Sequence, residues 1–298
     1  MAREIAPSSV AARDNAAFAW ALTAIAIFSF SPVTMRILVR EMDPLFAGML
    51  RTAGAIVVTL PLALRFPLPK DGREWRLLAL SAGGNFIMFP VLFCVGGGAT
   101  SGSHAALILA ASPVITGLCA AVVDRRKPGG TWWLGCVIAF AGEAALVLLR
   151  DTSHGVPVSI GGDLVVLTAS LGAGIGYVAG ALLAERMGTW AGTLWSINFA
   201  SLVQLPFIIW LWPADWSALD GAGWAALLHL TYGATVIALL AWLWALARGG
   251  IARMAVLQFI QPVASLGLAA LLLHERPSPP LLVAAGFILT GVIIARRR

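Results

Sequence analysis

The stretch WRLLALSAGGNFIMFPVLFCVGG at residues 75–97 has a counterpart 149 positions later, WAALLHLTYGATVIALLAWLWAL at residues 224–246. The same offset, half of the 298-residue chain, brings five apolar segments of one half onto five of the other without a gap. The coinciding residues include Trp75 and Trp224, Gly84 and Gly233, Pro113 and Pro262, Pro128 and Pro277, and Gly142 and Gly291. The chain is therefore predicted to be one structural unit written twice.

The composition points to a membrane protein. Hydrophobic residues make up 59% of the chain and charged residues 11%, and the mean hydropathy is +0.88. These values exclude an ordinary soluble domain. A membrane-spanning helix needs about 20 apolar residues. Ten segments qualify, at 16–39, 44–66, 75–97, 102–123, 131–149, 162–185, 189–212, 221–246, 251–273 and 279–295. The sequence predicts an all-α polytopic membrane protein with ten transmembrane helices.

The two predicted repeats cover residues 1–149 and 150–298, and each holds five spans. An odd number of spans forces the second repeat to insert upside down relative to the first. Inverted repeats of this kind form a single transmembrane domain and are common in carriers that alternate their access across a membrane.

The net charge of +6 reports topology rather than affinity for nucleic acid. With ten spans, fifteen Lys and Arg residues fall on the side of the chain termini, four fall on the other side, and Arg51 lies within a span. By the positive-inside rule, both termini are predicted to be cytoplasmic. We expect a multi-pass protein of the bacterial inner membrane.

The acidic residues argue against enzyme chemistry. Every Asp and Glu except Glu143 lies in a loop or at a span end. The sequence has no carboxylate cluster for metal ions and no His–Glu zinc spacing. We therefore expect neither a metal nor a cofactor, and no catalytic residues.

Arg51 and Glu143 are predicted to lie at the same depth. Each is about seven residues from the outer end of its span, which places both roughly 10 Å below the outer surface. They are a possible charge pair. The alternatives are two separate groups that reach toward water, an Arg51 that meets an anionic substrate, or a Glu143 that carries a proton.

The polar face of the ninth span is predicted to line a cavity. Gln258 and Gln261 share one helix face, and the repeat mate of Gln261 is Ser112 in the fourth span. The alternative is hydrogen bonding between neighbouring helices.

Further candidates for this cavity come from the first, third, sixth and eighth spans. They are Phe28, Asn85, Phe89, Tyr177, His229, Tyr232 and Trp242. Tyr177 is the repeat mate of Phe28. Aromatic rings in the middle of a membrane can line a ligand pocket or simply pack, and both readings stay open.

The fifth and tenth spans carry small residues at helical spacing. These residues allow helices to approach closely. We expect the two spans to lie at the periphery of a protein that is a monomer or a weak homodimer in contact through them.

The stretch AVLQFIQPVASLGLAALLLHERPSPPLLVAAGFILTGVIIA at residues 255–295 resembles the end of an EamA-type repeat, with its mid-helix proline, its Glu-Arg helix ending and its last Gly-rich helix. Residues 105–147 repeat the pattern, although Asp124-Arg125-Arg126 replaces the Glu-Arg ending. MLRTAGAIVVTLPL around Arg51 resembles the second helix of such repeats.

This resemblance implies the drug/metabolite transporter superfamily, in which ten helices form two inverted five-helix repeats. It implies that helices 1, 3, 4, 6, 8 and 9 line the cavity and that helices 5 and 10 lie outside it. Similar members export amino acids and metabolites, and YddG-type members export aromatic amino acids.

The function favoured by the sequence is export of small organic metabolites, with amino acids, aromatic ones included, as the preferred substrate class. The alternatives are a drug, nucleoside, sugar or polyamine transporter of the same fold, and a membrane-embedded lipid-modifying enzyme. The expected partners are the small-molecule substrate and the lipid bilayer, and no nucleic acid.

The charge asymmetry predicts that a reporter enzyme active only outside the cytoplasm stays inactive when it is fused to the C-terminus. Its activity in intact cells is the measurement. A strong signal from this fusion would overturn both the orientation and the even number of spans.

Overall fold

The computed structural model describes residues 7–100, 105, 108–125, 127–149, 159–212, 216, 219–264 and 279–296. Within these ranges every regular element is helical. We number the membrane helices α1 to α10 and count a helix with a short interruption as one helix in segments. The first five are α1 (Pro7–Phe28 and Ser31–Glu41), α2 (Pro44–Ala53 and Ile56–Ala63), α3 (Gly72–Ser81, Ala82–Met88 and Phe89–Ala99), α4 (Ile108–Asp124) and α5 (Gly130–Leu149). The others are α6 (Ile160–Met187), α7 (Thr189–Trp210), α8 (Gly221–Leu228, His229–Ala238 and Leu239–Gly249), α9 (Ile251–Ala264) and α10 (Pro279–Arg296).

Seven of these helices are long and apolar enough to cross a bilayer: α1, α2, α3, α5, α6, α7 and α8. In the described ranges α4, α9 and α10 are shorter apolar helices. Many large apolar side chains are exposed on the helices, for example Val57 on α2 and Phe207 on α7. This is the surface that hydrocarbon requires, because it offers no hydrogen bonds. The prediction of an all-α polytopic membrane protein is confirmed.

The helices of the two halves pack in equivalent pairs. Helix α1 packs along α8, and its repeat mate α6 packs along α3, the mate of α8. Helix α2 packs against its own mate α7. There the Ser201 hydroxyl donates a hydrogen bond to the carbonyl oxygen of Thr52 at 3.1 Å, and the two residues are 149 positions apart. A contact between repeat mates lies at the pseudo-two-fold axis, so the halves are interleaved. The repeat boundary at residues 149 and 150 stays a prediction, since residues 150–158 lie outside the described ranges.

Helices α5 and α10 form an antiparallel pair built on small residues. A Cβ atom added to Gly142 would lie 2.8 Å from the backbone nitrogen of Ile288, and one added to Gly291 would overlap the backbone of Ala139. The small residues predicted in these two helices therefore face each other within the chain. The homodimer stays a prediction, and it would need the outward side chains of the pair, such as Val137 and Phe287.

Helices α3 and α8 both change to π-helix in the middle of the membrane, over Ala82–Met88 and His229–Ala238. The 149-residue offset maps the first segment into the second. A π-helical turn is wider than an α-helical turn, is rare, and frequently occurs at functional sites. Side chains complete the altered hydrogen bonding: Gln204 in α7 donates from Nε2 to the carbonyl oxygen of Phe86 at 3.1 Å.

Ion pairs at two places tie helices of opposite halves on the side of the chain termini. Asp71 caps α3, accepting from the backbone N–H of Glu74 at 2.7 Å, and binds Arg186 of α6 at 2.6 Å. The Glu74 N–H first, and Arg186 second, hold the pKa of the Asp71 carboxyl below its usual value. Arg253 of α9 pairs with Asp14 of α1 at 2.8 Å. These pairs fasten α3 to α6 and α1 to α9 at one membrane surface.

The crossing of α3 and α6 depends on glycine. A Cβ atom at Gly84 would overlap the carbonyl oxygen of Gly172 and would lie 2.8 Å from the Cα atom of Gly176. These are backbone atoms, which cannot rotate away as a side chain can. A Cβ atom at the neighbouring Gly83 would meet nothing within 4 Å.

Gly84→Ala is expected to lower the free energy of unfolding by about 1–3 kcal/mol, because the added methyl group forces the two backbones apart. Gly83→Ala is the matched control, and it should leave stability unchanged or raise it by about 0.5–1 kcal/mol, because alanine loses less conformational freedom in a helix. Thermal unfolding of both variants in the same detergent provides the comparison. Equal effects of the two substitutions would contradict the proposed close crossing.

Candidate functional site

Helix α1 is interrupted at Ser29 and Phe30, and α9 completes its hydrogen bonding there. The Gln261 side chain donates from Nε2 to the carbonyl oxygen of Phe28 at 3.3 Å. The Ser29 hydroxyl donates to the carbonyl oxygen of Gln261 at 3.2 Å and to that of Ile25 at 2.7 Å. Backbone groups freed in a membrane must find internal partners. The structure thus brings Phe28 and Gln261 together, and it favours a helix–helix role for the Gln261 amide.

Helix α2 is interrupted at Gly54 and Ala55, and α8 meets this break. The Tyr232 hydroxyl donates to the carbonyl oxygen of Gly54 at 3.3 Å. Tyr232 therefore connects the π-helical segment of α8 to the break in α2.

Arg51 lies one turn before this break and is buried, with 6% of its surface exposed. Its guanidinium approaches the Thr235 hydroxyl at 3.5 Å, a long contact, and its Nε atom has no partner. Its charge acts on Cys94, Tyr177 and His229. Among the described residues no carboxylate forms an ion pair with it. Arg51 is thus a buried cation beside predicted cavity residues.

The structure does not bring Arg51 and Glu143 together. Helix α2 packs against α3, α7 and α8, whereas α5, which carries Glu143, packs against α10 and the Val256–Phe259 segment of α9. Glu143 is not among the groups whose charge acts on Arg51. Equal depth fixes a position along the membrane normal and leaves the lateral position open, which is why the pairing argument fails here.

Tyr177 of α6 lies at the centre of the predicted cavity residues. Its ring packs edge-on against the Trp242 ring, with centroids 6.0 Å apart and planes at 68°. Its hydroxyl lies beside the Gln258 side chain and within electrostatic reach of Arg51. The Nε1 atom of Trp242 and the Oε1 atom of Gln258 are buried and have no partner.

Asn85 and His229 add two more buried atoms without a partner. The Oδ1 atom of Asn85 faces α6 at Gly176, next to Tyr177, where a Cβ atom would lie 2.6 Å from it. The His229 ring packs edge-on against Phe30 at 5.9 Å, and its Nε2 atom is unpaired. Both residues sit in the π-helical segments of α3 and α8.

Two predicted site residues are engaged with neighbouring side chains. Phe89 stacks on Phe93, with centroids 5.6 Å apart and planes at 3°. The Ser112 hydroxyl donates to that of Ser170 in α6 at 3.2 Å. These contacts explain both side chains by packing within the protein, and their role in binding stays a prediction.

We define the central polar cluster as Arg51, Asn85, Tyr177, His229, Trp242 and Gln258. Five of its six members hold a buried polar atom that has no partner within the described part of the chain. Leaving such an atom unpaired costs about 1–3 kcal/mol, so each requires an explanation. Arg51 and Trp242 offer donors, while Asn85 and Gln258 offer amide oxygens as acceptors. The cluster is equipped to bind a ligand that carries both a negative and a positive group.

Sequence reasoning missed Thr235 and Gln204. The Thr235 hydroxyl accepts the long contact from Arg51, and Gln204 binds the backbone of the α3 π-helical segment. A polar residue in the middle of a predicted span was the available signal for both. Nothing in the sequence pattern distinguished a π-helix from an α-helix, although the Gly84 and Gly233 match marked the place.

The comparison with known proteins divides the chain into two repeats, as the sequence and the helix packing do. The model of the EamA-like transporter family matches the chain twice, over residues 15–148 and 160–297. A transporter of Bacillus subtilis (strain 168), YdeK, described as uncharacterized, is 28% identical over 92% of this chain and 94% of its own. A probable amino-acid metabolite efflux pump of Escherichia coli (strain K12) is 26% identical over 92% of each chain. A solved crystal structure superposes with a TM-score of 0.75 at 21% identity, covering 94% of this chain and 96% of its own, and supports the fold.

Gln258 and Gln261 are expected to respond differently to replacement by Leu. Gln261→Leu removes the bond to α1 and should lower the free energy of unfolding by about 1 kcal/mol. Gln258→Leu removes an amide oxygen without a partner among the described residues, together with the contact with the Tyr177 hydroxyl. It should therefore lower stability less than Gln261→Leu does and weaken ligand binding several-fold. Melting temperature and ligand-dependent flux, measured on the same preparations, separate the two effects. The assignment fails if Gln258→Leu destabilises the protein as much as Gln261→Leu does.

Proposed function

Because the chain belongs to the EamA-like transporter family, we propose that it is a carrier of the bacterial inner membrane that exports amino acids, aromatic ones included, by alternating access. The observation that carries this proposal is the buried Arg51 of the central polar cluster, which has no carboxylate partner among the described residues. A charge within a membrane protein is costly and marks a functional site by default.

Arg51 is the proposed partner of the substrate carboxylate. A guanidinium presents a planar set of donors that matches a carboxylate, and its Nε atom is unused. The substrate would supply the negative charge that the described residues around Arg51 do not. The amide oxygens of Asn85 and Gln258 are the proposed acceptors for the substrate ammonium group.

Tyr177 and Trp242 are the proposed contacts of the substrate side chain. Both are aromatic, buried and in contact with each other. Aromatic rings prefer offset or edge-on neighbours, so this pair suits an aromatic amino acid. Phe89 of α3 and Tyr232 of α8 lie on the two helices that contain π-helical segments, and they are proposed to extend the wall of the binding site.

The positive charge of the cluster also favours amino acids over the alternative substrate classes. A polyamine or a cationic drug would bring further positive charge to Arg51. A phosphate ester would want several cations rather than one. A neutral sugar would leave the Arg51 charge uncompensated. Similarity to the Escherichia coli protein, whose printed name refers to amino-acid metabolites, supports the same choice.

Alternating access is proposed to use the breaks and π-helical segments at mid-membrane as the flexible points. Opening toward the cytoplasm would require the Asp71–Arg186 and Asp14–Arg253 pairs to separate, because they fasten helices of opposite halves. The energy for export would come from the substrate gradient. No enzymatic step is part of the proposal.

Arg51→Gln tests the carboxylate site. In reconstituted vesicles, counterflow across the twenty amino acids first identifies the substrate, and competition then compares it with its amide, which lacks the carboxylate. The unsubstituted protein should bind the amino acid more tightly than its amide. Arg51→Gln should weaken binding of the amino acid roughly tenfold or more, because it removes a hydrogen bond between charged groups. Affinity for the amide should change little.

Arg65→Gln is the matched control, since Arg65 is an exposed arginine near the other end of the same helix. It should keep the preference for the free acid. Arg51→Gln protein that retains the natural melting temperature and still prefers the acid would overturn the role of Arg51. Counterflow of cations but of no amino acid would overturn the substrate class.

A further inference from the structure

A second concentration of positive charge lies at the surface of the chain termini, where α1, α9 and α10 meet. Arg253 of α9 and Arg296 of α10 lie close enough for their guanidinium groups to repel each other. Asp14 of α1 binds Arg253 at 2.8 Å and also attracts Arg296. Among the described residues here, two cations therefore share one carboxylate, which leaves an excess of positive charge.

Contacts with α1 hold both guanidinium groups in place. Arg296 lies over the Phe18 ring, 4.5 Å from its centroid, which orients its plane. The Nε atoms of Arg253 and Arg296 are buried and have no hydrogen-bond partner among the described residues. The side chain of Arg253 is 29% exposed, so part of the group still reaches the surface. An anion with several oxygens would bind the part of these groups that reaches the surface and compensate the charge.

This cluster lies at the depth in the membrane where lipid headgroups are expected. Arg296 is the last described residue of an apolar helix, whose Ile293 is 57% exposed. Trp20 of α1 is 49% exposed and contacts Trp244, on which Arg248 lies at 5.4 Å. Exposed tryptophans and arginines at helix ends are typical of the headgroup level of a bilayer. The central polar cluster is separate from this surface and is lined by other residues.

We propose that Arg253 and Arg296, with Phe18 beneath the Arg296 guanidinium, bind the phosphate of an anionic phospholipid in the membrane leaflet on the side of the chain termini. Arginine binds phosphate oxygens through several parallel hydrogen bonds, and basic sites between helices at this level recognise acidic headgroups. Bound lipid would bridge α9, α10 and, through the Asp14–Arg253 pair, α1. The lipid would thereby stabilise the Asp14–Arg253 ion pair, which holds helices of the two halves together at this surface. The proposal depends on the membrane setting and not on the identity of the transported substrate.

The full chain in neutral detergent provides the test. Its melting temperature is measured with added phosphatidylglycerol, with phosphatidylcholine, and with inorganic phosphate at equal concentration, and native mass spectrometry counts retained lipid. Phosphatidylglycerol should raise the melting temperature and remain bound. Phosphatidylcholine and inorganic phosphate should have little effect. An equal effect of inorganic phosphate would overturn the lipid assignment in favour of a free-anion site.

Arg296→Gln should weaken phosphatidylglycerol binding roughly tenfold. Arg65→Gln, which removes an exposed arginine outside the cluster, should leave it unchanged. Arg296→Lys keeps the charge without the planar donors, should bind with intermediate affinity, and serves if the Gln variant does not fold. Undiminished phosphatidylglycerol binding by a folded Arg296 variant would overturn the site, whatever the outcome of the transport assays.

Discussion

The absence of water inside the bilayer is the constraint on which the rest of this structure depends. Every backbone N–H and carbonyl group at that depth needs a partner within the protein. Where the helices are regular, the backbone satisfies itself. Where α1 and α2 break, side chains from the opposite half complete the bonding: Gln261 serves α1, and Tyr232 serves α2. The breaks are therefore possible only because the two halves are interleaved.

The same constraint makes the central polar cluster conspicuous. The protein satisfies the irregular backbone at its centre, yet leaves polar atoms of Arg51, Asn85, His229, Trp242 and Gln258 unpaired. Unpaired groups in low dielectric are expensive, and a charge is the most expensive of them. A ligand with complementary groups would recover that cost on binding. This cost favours selective binding, because a molecule without the matching charges would leave these polar atoms unpaired.

The repeat symmetry applies to the arrangement of the helices more than to the residues of the central polar cluster. The π-helical segments of α3 and α8, the Thr52–Ser201 contact and the antiparallel α5–α10 pair all obey it. The polar residues do not: the repeat mates of Arg51, Asn85 and Gln258 are Ala200, Ala234 and Leu109. A symmetric framework suits a protein that must open to either side. An asymmetric cluster suits a substrate whose two ends differ in charge.

The sequence by itself determined the all-α membrane class and the repeat, because hydrophobic length and an ungapped offset are properties of the chain alone. It also identified the candidate functional residues, since polar groups within apolar spans are rare. Tertiary structure decided which of them meet. Arg51 and Glu143 have equal depths but lie on helices with different neighbours, and Gln258 and Gln261 share a face of α9 yet differ in their partners. Depth and helix face follow from spacing along the chain, whereas lateral neighbours follow from how helices pack, which depends on contacts such as that of Gly84 with Gly172 and Gly176.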